Sequence, residues 1–310
     1  MLGLTIGLYS FNVGLMSRIN HTYKMKKHLF VINPVSGGIN KDDLIRTIED
    51  QFLEDTFSIW MTTGENDPQK LKNEIKSYQP DVVVIAGGDG TINQMVLSVI
   101  EHNKELGIIP SGSANGLATD LGITMNNWLT TLRKGSSHNL DIVMINDVPM
   151  IHMADLGLNA TLVKRYEEEN RRGFLGYAVS AFKELPTINQ EFPVKISDDG
   201  KSKDFQTSFL VIANSQRYGT GFEINPEGSV ADGKFELCIM KELTLDSIFG
   251  QIFNPNNTKS DQSIFEVFQC KEAIIQLTEK VNFQIDGEYI GETDYLKVEM
   301  HHQTAKLLVP

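Results

Sequence analysis

Residues 81–86 read Asp-Val-Val-Val-Ile-Ala, and the next five are Gly87, Gly88, Asp89, Gly90 and Thr91. An unbroken β-branched run with no polar alternation is a strand covered on both faces, the mark of a parallel sheet between helical layers. Parallel neighbours need crossovers, so the surrounding sequence has to alternate strand and helix. It does. Residues 28–33 (HLFVIN) predict a strand, 41–54 a helix with Leu44, Ile45, Ile48 and Phe52 on one side, and 57–62 a strand. Residues 67–78 predict a helix with Pro68 in its permitted first turn, 92–102 another helix, and 106–110 a strand. Thr91 and Gln94 have the spacing of a capping box, which predicts that the helix after the glycines opens with Thr91 as its N-cap. An α/β domain with a parallel sheet is therefore expected over residues 25–135.

The texture then changes. Short strands are predicted at 140–145, 150–153, 192–197, 207–213, 235–240, 264–269, 273–277, 282–285, 296–300 and 306–309. Asn146-Asp147, Asp199-Gly200 and Asp286-Gly287 have hairpin-turn chemistry. Only 158–169, 174–184 and 244–253 read as helices. An antiparallel β-sandwich with a helical insertion at 158–185 is expected over residues 136–310, and a cleft between the two domains for the active site. A chain of 310 residues accommodates two domains of roughly 100–200 residues each. Residues 1–24 are read as an N-terminal extension: the apolar stretch there is broken by glycines, falls short of the ~18 residues a span needs, and lacks a basic signal-peptide start.

Charge and cysteine content narrow the partners. Lys plus Arg number 28 against 40 Asp plus Glu, a net charge of −12, so a polyanion such as nucleic acid is a poor partner. Cys238 and Cys270 are too few for a disulfide framework and fit a reducing, cytoplasmic setting, buried and inert in their strands.

Three loops follow first-domain strands: Asn33, Pro34, Val35, Ser36, Gly37 and Gly38; then residues 87–91; then Pro110, Ser111, Gly112, Ser113, Ala114 and Asn115. In an open parallel sheet all three leave from the carboxyl edge, where ligands bind. Glycines let main-chain amides approach a phosphate, and a helix start beside them adds its dipole. Alone, Gly-Gly-Asp-Gly is more often a turn; three such loops together point to a polyphosphate. Asp89 is out of place beside phosphates unless Mg²⁺ offsets it. Neither a P-loop nor the dinucleotide fingerprint is present.

These residues resemble the diacylglycerol kinase catalytic-domain family, which includes bacterial lipid kinases and sphingosine kinases, from residue 28 to 310. The resemblance implies phosphorylation of a lipid hydroxyl, on diacylglycerol or a sphingoid base, by ATP with Mg²⁺. It implies nucleotide contacts from Asn33, Pro34, Val35, Ser36, Gly37, Thr62, Gly87, Gly88, Asp89, Gly90, Thr91, Ile92, Asn93, Ser113 and Asn115. Ser229, Asp232 and Lys234 resemble the loop that holds a structural Mg²⁺, with Asp232 as its side-chain ligand. Asp286-Gly287-Glu288, by itself a hairpin turn, looks like the motif whose glutamate is the general base; Asp89 competes for that role. Asp141 resembles a family active-site aspartate, against a plain reading as a surface strand residue. Asp155 is similar to the aspartate that sphingosine kinases present to the lipid head.

The sequence departs from bacterial diacylglycerol kinases at Gly116, where they usually carry Asp, so their metal network does not transfer whole. His152 reads as a packed core histidine without chemistry. Arg165, Arg171 and Arg172 in the insertion suit phosphates or a membrane surface, or else a plain surface helix pair. The alternatives are an NAD kinase-like enzyme for a soluble metabolite and a nucleotide- or lipid-binding protein without catalysis. A cytoplasmic protein that meets its lipid transiently at the membrane is expected, and a homodimer is left open.

Overall fold

The computed structural model describes residues 26–53, 56–157, 160, 161, 164, 191–218, 222–240 and 265–310. The predicted extension, nearly all of the 158–185 insertion with its three arginines, and the 244–253 helix lie outside the described residues.

The first half alternates as its hydrophobic pattern requires: β1 (His28–Ile32), α1 (Lys41–Gln51), β2 (Phe57–Met61), α2 (Asp67–Tyr78), β3 (Val82–Gly87), α3 (Asp89–Glu101) and β4 (Glu105–Pro110). The four strands are parallel in the order β4-β3-β1-β2. Period-two alternation divides each central strand between two cores. Leu29, Val31, Val83 and Ile85 pack with α2 and α3, while Phe30, Ile32, Val82 and Val84 pack on the face of α1. Each fully buried Val, Leu or Ile contributes about 1.5–3 kcal/mol.

Two short helices, α4 (Gly116–Asp120) and α5 (Trp128–Lys134), complete this half. One or two turns are too short to show a periodicity, so the sequence does not announce them. The start of α3 is a correction. Its N-cap is Gly88 and no side chain caps it; Thr91 and Gln94 lie inside the helix and make no capping box, because Gln94 is used by the other half of the molecule.

The second half contains β5 (Ser136–Ile145), β6 (Val148–Met150), β7 (Met153–Gly157), β8 (Phe192–Asp198), β9 (Lys201–Thr207), β10 (Phe209–Ala213), β11 (Arg217–Tyr218), β12 (Phe222–Glu223), β13 (Phe235–Met240), β14 (Phe265–Cys270), β15 (Glu272–Ile285) and β16 (Glu288–Val309). All three expected turns form as two-residue hairpins with positive φ at both positions. β9, mostly polar and exposed, escapes an apolar pattern. Cys238 and Cys270 are buried free thiols, and burial pushes Cys270 up to about 12.

Strands expected to be separate fuse. Residues 273–277 and 282–285 lie in β15; 296–300 and 306–309 lie in β16. β16 pairs antiparallel with β15 and β5, then ends parallel to β4 through Lys306↔Glu105 and Leu307↔Leu106. One sheet thus crosses both halves, in the order β14-β13-β10-β7-β15-β16-β4-β3-β1-β2. Ala305, Leu307 and Val309 share a core with Leu29 and Val83.

Candidate active site at the carboxyl edge of the first sheet

The three glycine loops meet. Asn33 Nδ2 donates to Thr91 Oγ1 at 2.9 Å, tying the first loop to α3, and Ser36 Oγ lies 3.3 Å from Ser111 Oγ. Gly37, at φ +56°, is so close to the third loop that a Cβ there would sit 2.1 Å from the Ser111 carbonyl oxygen. A Cβ on Gly112 would sit 2.3 Å from Gly88 Cα. Asn115 closes the third loop on itself, accepting from Gly112 N at 2.8 Å and donating to Gly112 O at 3.0 Å. Thr62 is buried beside the first loop, its amide on Ile32 O at 2.9 Å.

Lys41, in the first turn of α1, reaches back to the first loop with Nζ 2.8 Å from Ser36 O and 3.2 Å from Ser36 Oγ. Burial lowers its pKa. Sequence reasoning passed over it; the signal was a lysine in a first helical turn, where the dipole disfavours a cation.

The second half delivers a carboxylate to this edge. The Asp286-Gly287 turn joins β15 to β16, and Glu288 opens β16. Gln94 Nε2 of α3 donates to both Glu288 oxygens at 3.1 and 3.2 Å. A Cβ on Gly90 would lie 2.3 Å from Glu288 Oε1. Asp286 anchors the turn: it accepts from the Ile151, His152 and Met153 amides at 2.9, 3.0 and 3.0 Å and from Asn93 Nδ2 at 2.6 Å. Burial, helped by the Asp89 charge, nevertheless pushes its carboxyl up to about 6.

Family models match the chain on both sides of this junction. One, described as the diacylglycerol kinase catalytic domain, covers residues 27–145; another, described as the YegS C-terminal NAD kinase beta sandwich-like domain, covers residues 140–308. The chain belongs to the diacylglycerol kinase family. Among its relatives, the diacylglycerol kinase of Bacillus subtilis (strain 168) is 29% identical over 280 residues, 86% of this chain and 91% of that one. The "Probable lipid kinase YegS-like" of Citrobacter koseri is 26% identical over 269 residues, 82% of this chain and 86% of its own. A crystal structure of a diacylglycerol kinase from Bacillus anthracis str. Sterne shares the fold, with a TM-score of 0.73 at 21% identity over 93% of this chain and 98% of that one. The NAD kinase-like sandwich is a feature of this family's fold.

Several residues of the family pattern are engaged in contacts within the fold. Asp89 is buried, and its oxygens accept from the Gly116 and Leu117 amides at 2.7 and 3.2 Å. The first amides of α4 thus satisfy its charge, so a cation is not needed to explain it. Ile92 is a core residue. Asn93 spends its amide on Asp286 and the Pro149 carbonyl, which turns it toward the second half. Val35 is exposed at the tip of the first loop. Asp141 is fully buried, not a surface strand residue. It accepts from Gly233 N at 2.7 Å, Gln303 N at 2.6 Å and His302 Nδ1 at 2.8 Å, and none of these belongs to the Asp89–Glu288 cluster. Asp155 is also fully buried, on β7, and accepts from Gln284 Nε2.

Among the described residues no three His, Cys, Asp or Glu side chains gather as a metal cluster. A Mg²⁺ carried in on the phosphates would keep phosphate and water oxygens for its shell, with Glu288, half-buried beside the glycine loops, set back from it. Asp232 is exposed in a loop where Lys234 N donates to its Oδ1 at 3.0 Å and Ala231 N approaches Ser229 Oγ at 3.4 Å. One carboxylate and a hydroxyl fit at most a largely hydrated ion there; the Lys234 ammonium is instead on Gln269, at 2.6 Å. Among the described residues no helix is long and apolar enough to cross a membrane.

Proposed function

We propose that the protein transfers the terminal phosphoryl group of ATP, presented with Mg²⁺, to the hydroxyl of a lipid such as diacylglycerol or a sphingoid base. The observation that carries this reading is the Glu288 carboxylate standing against Gly90 at the junction of three glycine loops. Phosphoryl transfer asks a protein mainly for positioning and charge neutralisation. The main-chain amides of the loops hold the phosphates, Lys41 adds a positive charge, and Mg²⁺ supplies the remainder of the neutralisation. Glu288 accepts the proton of the attacking hydroxyl. It suits that role better than Asp89, whose two oxygens are already held by amides. Asp89 instead fixes α4 and with it the third loop.

The test offers purified protein labelled ATP and Mg²⁺ with diacylglycerol, sphingosine or NAD. Label in the organic phase, lost in Glu288→Gln, is the expected result. Label in NAD would establish the soluble-metabolite reading instead, and no transfer to any acceptor would refute catalysis.

A further inference from the structure

His152 lies between β6 and β7 and is 5% exposed. Its ring rests on Gly116: a Cβ at that position would stand 2.2 Å from His152 Cε1 and 2.7 Å from Nδ1, so the imidazole fills the space of the missing side chain. Gly116 N is one of the two amides that Asp89 holds. At the far end of α4, Asp120 Oδ2 lies 3.5 Å from His152 Nε2, and the Asp120 side chain is itself buried. The His152 amide donates to Asp286 at 3.0 Å. Asp120 of α4 therefore stands against the imidazole, and Asp89 of α3 and Asp286 of the β15–β16 turn lie close enough to act on its charge. All three favour a cation at that position.

We propose that His152 is a positioning residue of the transfer site: its imidazolium locks α4, and so the third loop and Asp89, onto the hairpin that carries Glu288. Burial alone drives the ring toward neutrality; the Asp120 carboxylate 3.5 Å away and the charges of Asp89 and Asp286 outweigh it and raise its pKa above 6.5. A raised value means that the lock is complete below about pH 6.5 and is lost as pH climbs through the folded-state value. The kinetic part of the proposal rests on the phosphoryl-transfer reading; the ionic contact does not.

Two measurements test it. Histidine-selective NMR, with the His152 signal assigned by its loss in His152→Gln, follows the ring between about pH 5 and 9. The ring should stay protonated above 6.5, and Asp120→Asn should move its midpoint down. In lipid phosphorylation, His152→Gln should lower kcat about 100-fold, the cost of a misplacement of about 1 Å, and raise ATP KM with it, because the third loop moves with α4. Asp120→Asn should shift the alkaline limb of kcat downward together with the ring midpoint, and it keeps the test open should His152→Gln fail to fold. A ring that does not titrate in that range overturns the proposal. So does a ring midpoint unmoved by Asp120→Asn, or a folded His152→Gln protein with wild-type kcat. If the wild-type protein labels no lipid, the phosphoryl-transfer reading falls, while the NMR arm still decides whether the ionic lock exists.

Discussion

Gly112→Ala is the sharpest probe of the joined glycine loops. The added methyl would stand 2.3 Å from Gly88 Cα, 2.7 Å from Gly88 N and 2.8 Å from Asn115 Oδ1. Two of those atoms are main chain, so no side-chain rotation relieves the clash. Ordinary contact begins near 3.4 Å, so the second and third loops would have to part by about 1 Å, and overpacking of this kind costs about 1–3 kcal/mol. With phosphates held there as proposed, a displacement of about 1 Å is worth about 100-fold in turnover. Gly38→Ala is the control, since nothing lies within 4 Å of its Cβ position. Urea unfolding, titration with an ATP analogue and lipid phosphorylation should be run on both variants. Gly112→Ala should lose stability, nucleotide affinity and turnover together, while Gly38→Ala tracks the wild type. Wild-type affinity and stability in Gly112→Ala would refute the claim that these loops form one site.

Other substitutions report on the remaining parts. Lys41→Met should weaken nucleotide binding about 10-fold, roughly 1.4 kcal/mol, with little change in melting temperature, as calorimetry would show. Asp141→Asn presents an amide nitrogen to buried N–H donors and should cost about 2–3 kcal/mol in denaturant unfolding. Its effect should appear as global stability rather than as turnover of the folded fraction. Asp286 has a carboxyl pushed up to about 6, above its unfolded value of 3.8, so the native state binds its proton more tightly. Its contribution should therefore fall by about 3 kcal/mol as pH rises from about 4 to about 6, and Asp286→Asn should remove that component from unfolding curves measured across the range.

Local rules made much of the architecture legible. The β-branched run of β3 and the Pro68 start of α2 announced the parallel sheet, and three dipeptides with turn chemistry located their hairpins. The rest depended on partners distant in sequence. Gln94 has the spacing to cap its own helix, yet it bonds Glu288, 194 residues away; no local pattern ranks those two uses. Asp286 read as a turn residue, and only the folded chain shows it gathering three amides and Asn93. Asp89 looked like an electrostatic conflict because α4, five residues long, left no periodic trace. Asp141 carries a charge that a sequence reading places outside, whereas hydrogen bonds satisfy it inside.

The strand that closes the fold has a mechanical meaning. Because β16 begins at Glu288 and finishes alongside β4, a single stretch of backbone carries that carboxylate at one end and completes the first sheet at the other. Any movement that draws the halves together must twist this ribbon, so the reach of Glu288 is governed by the stiffness of a ladder and not by a flexible linker. Removing 305–310 would take Ala305, Leu307 and Val309 out of the core that they share with Leu29 and Val83 and leave β4 without its neighbour, so the damage would surface at the glycine loops, far away in sequence.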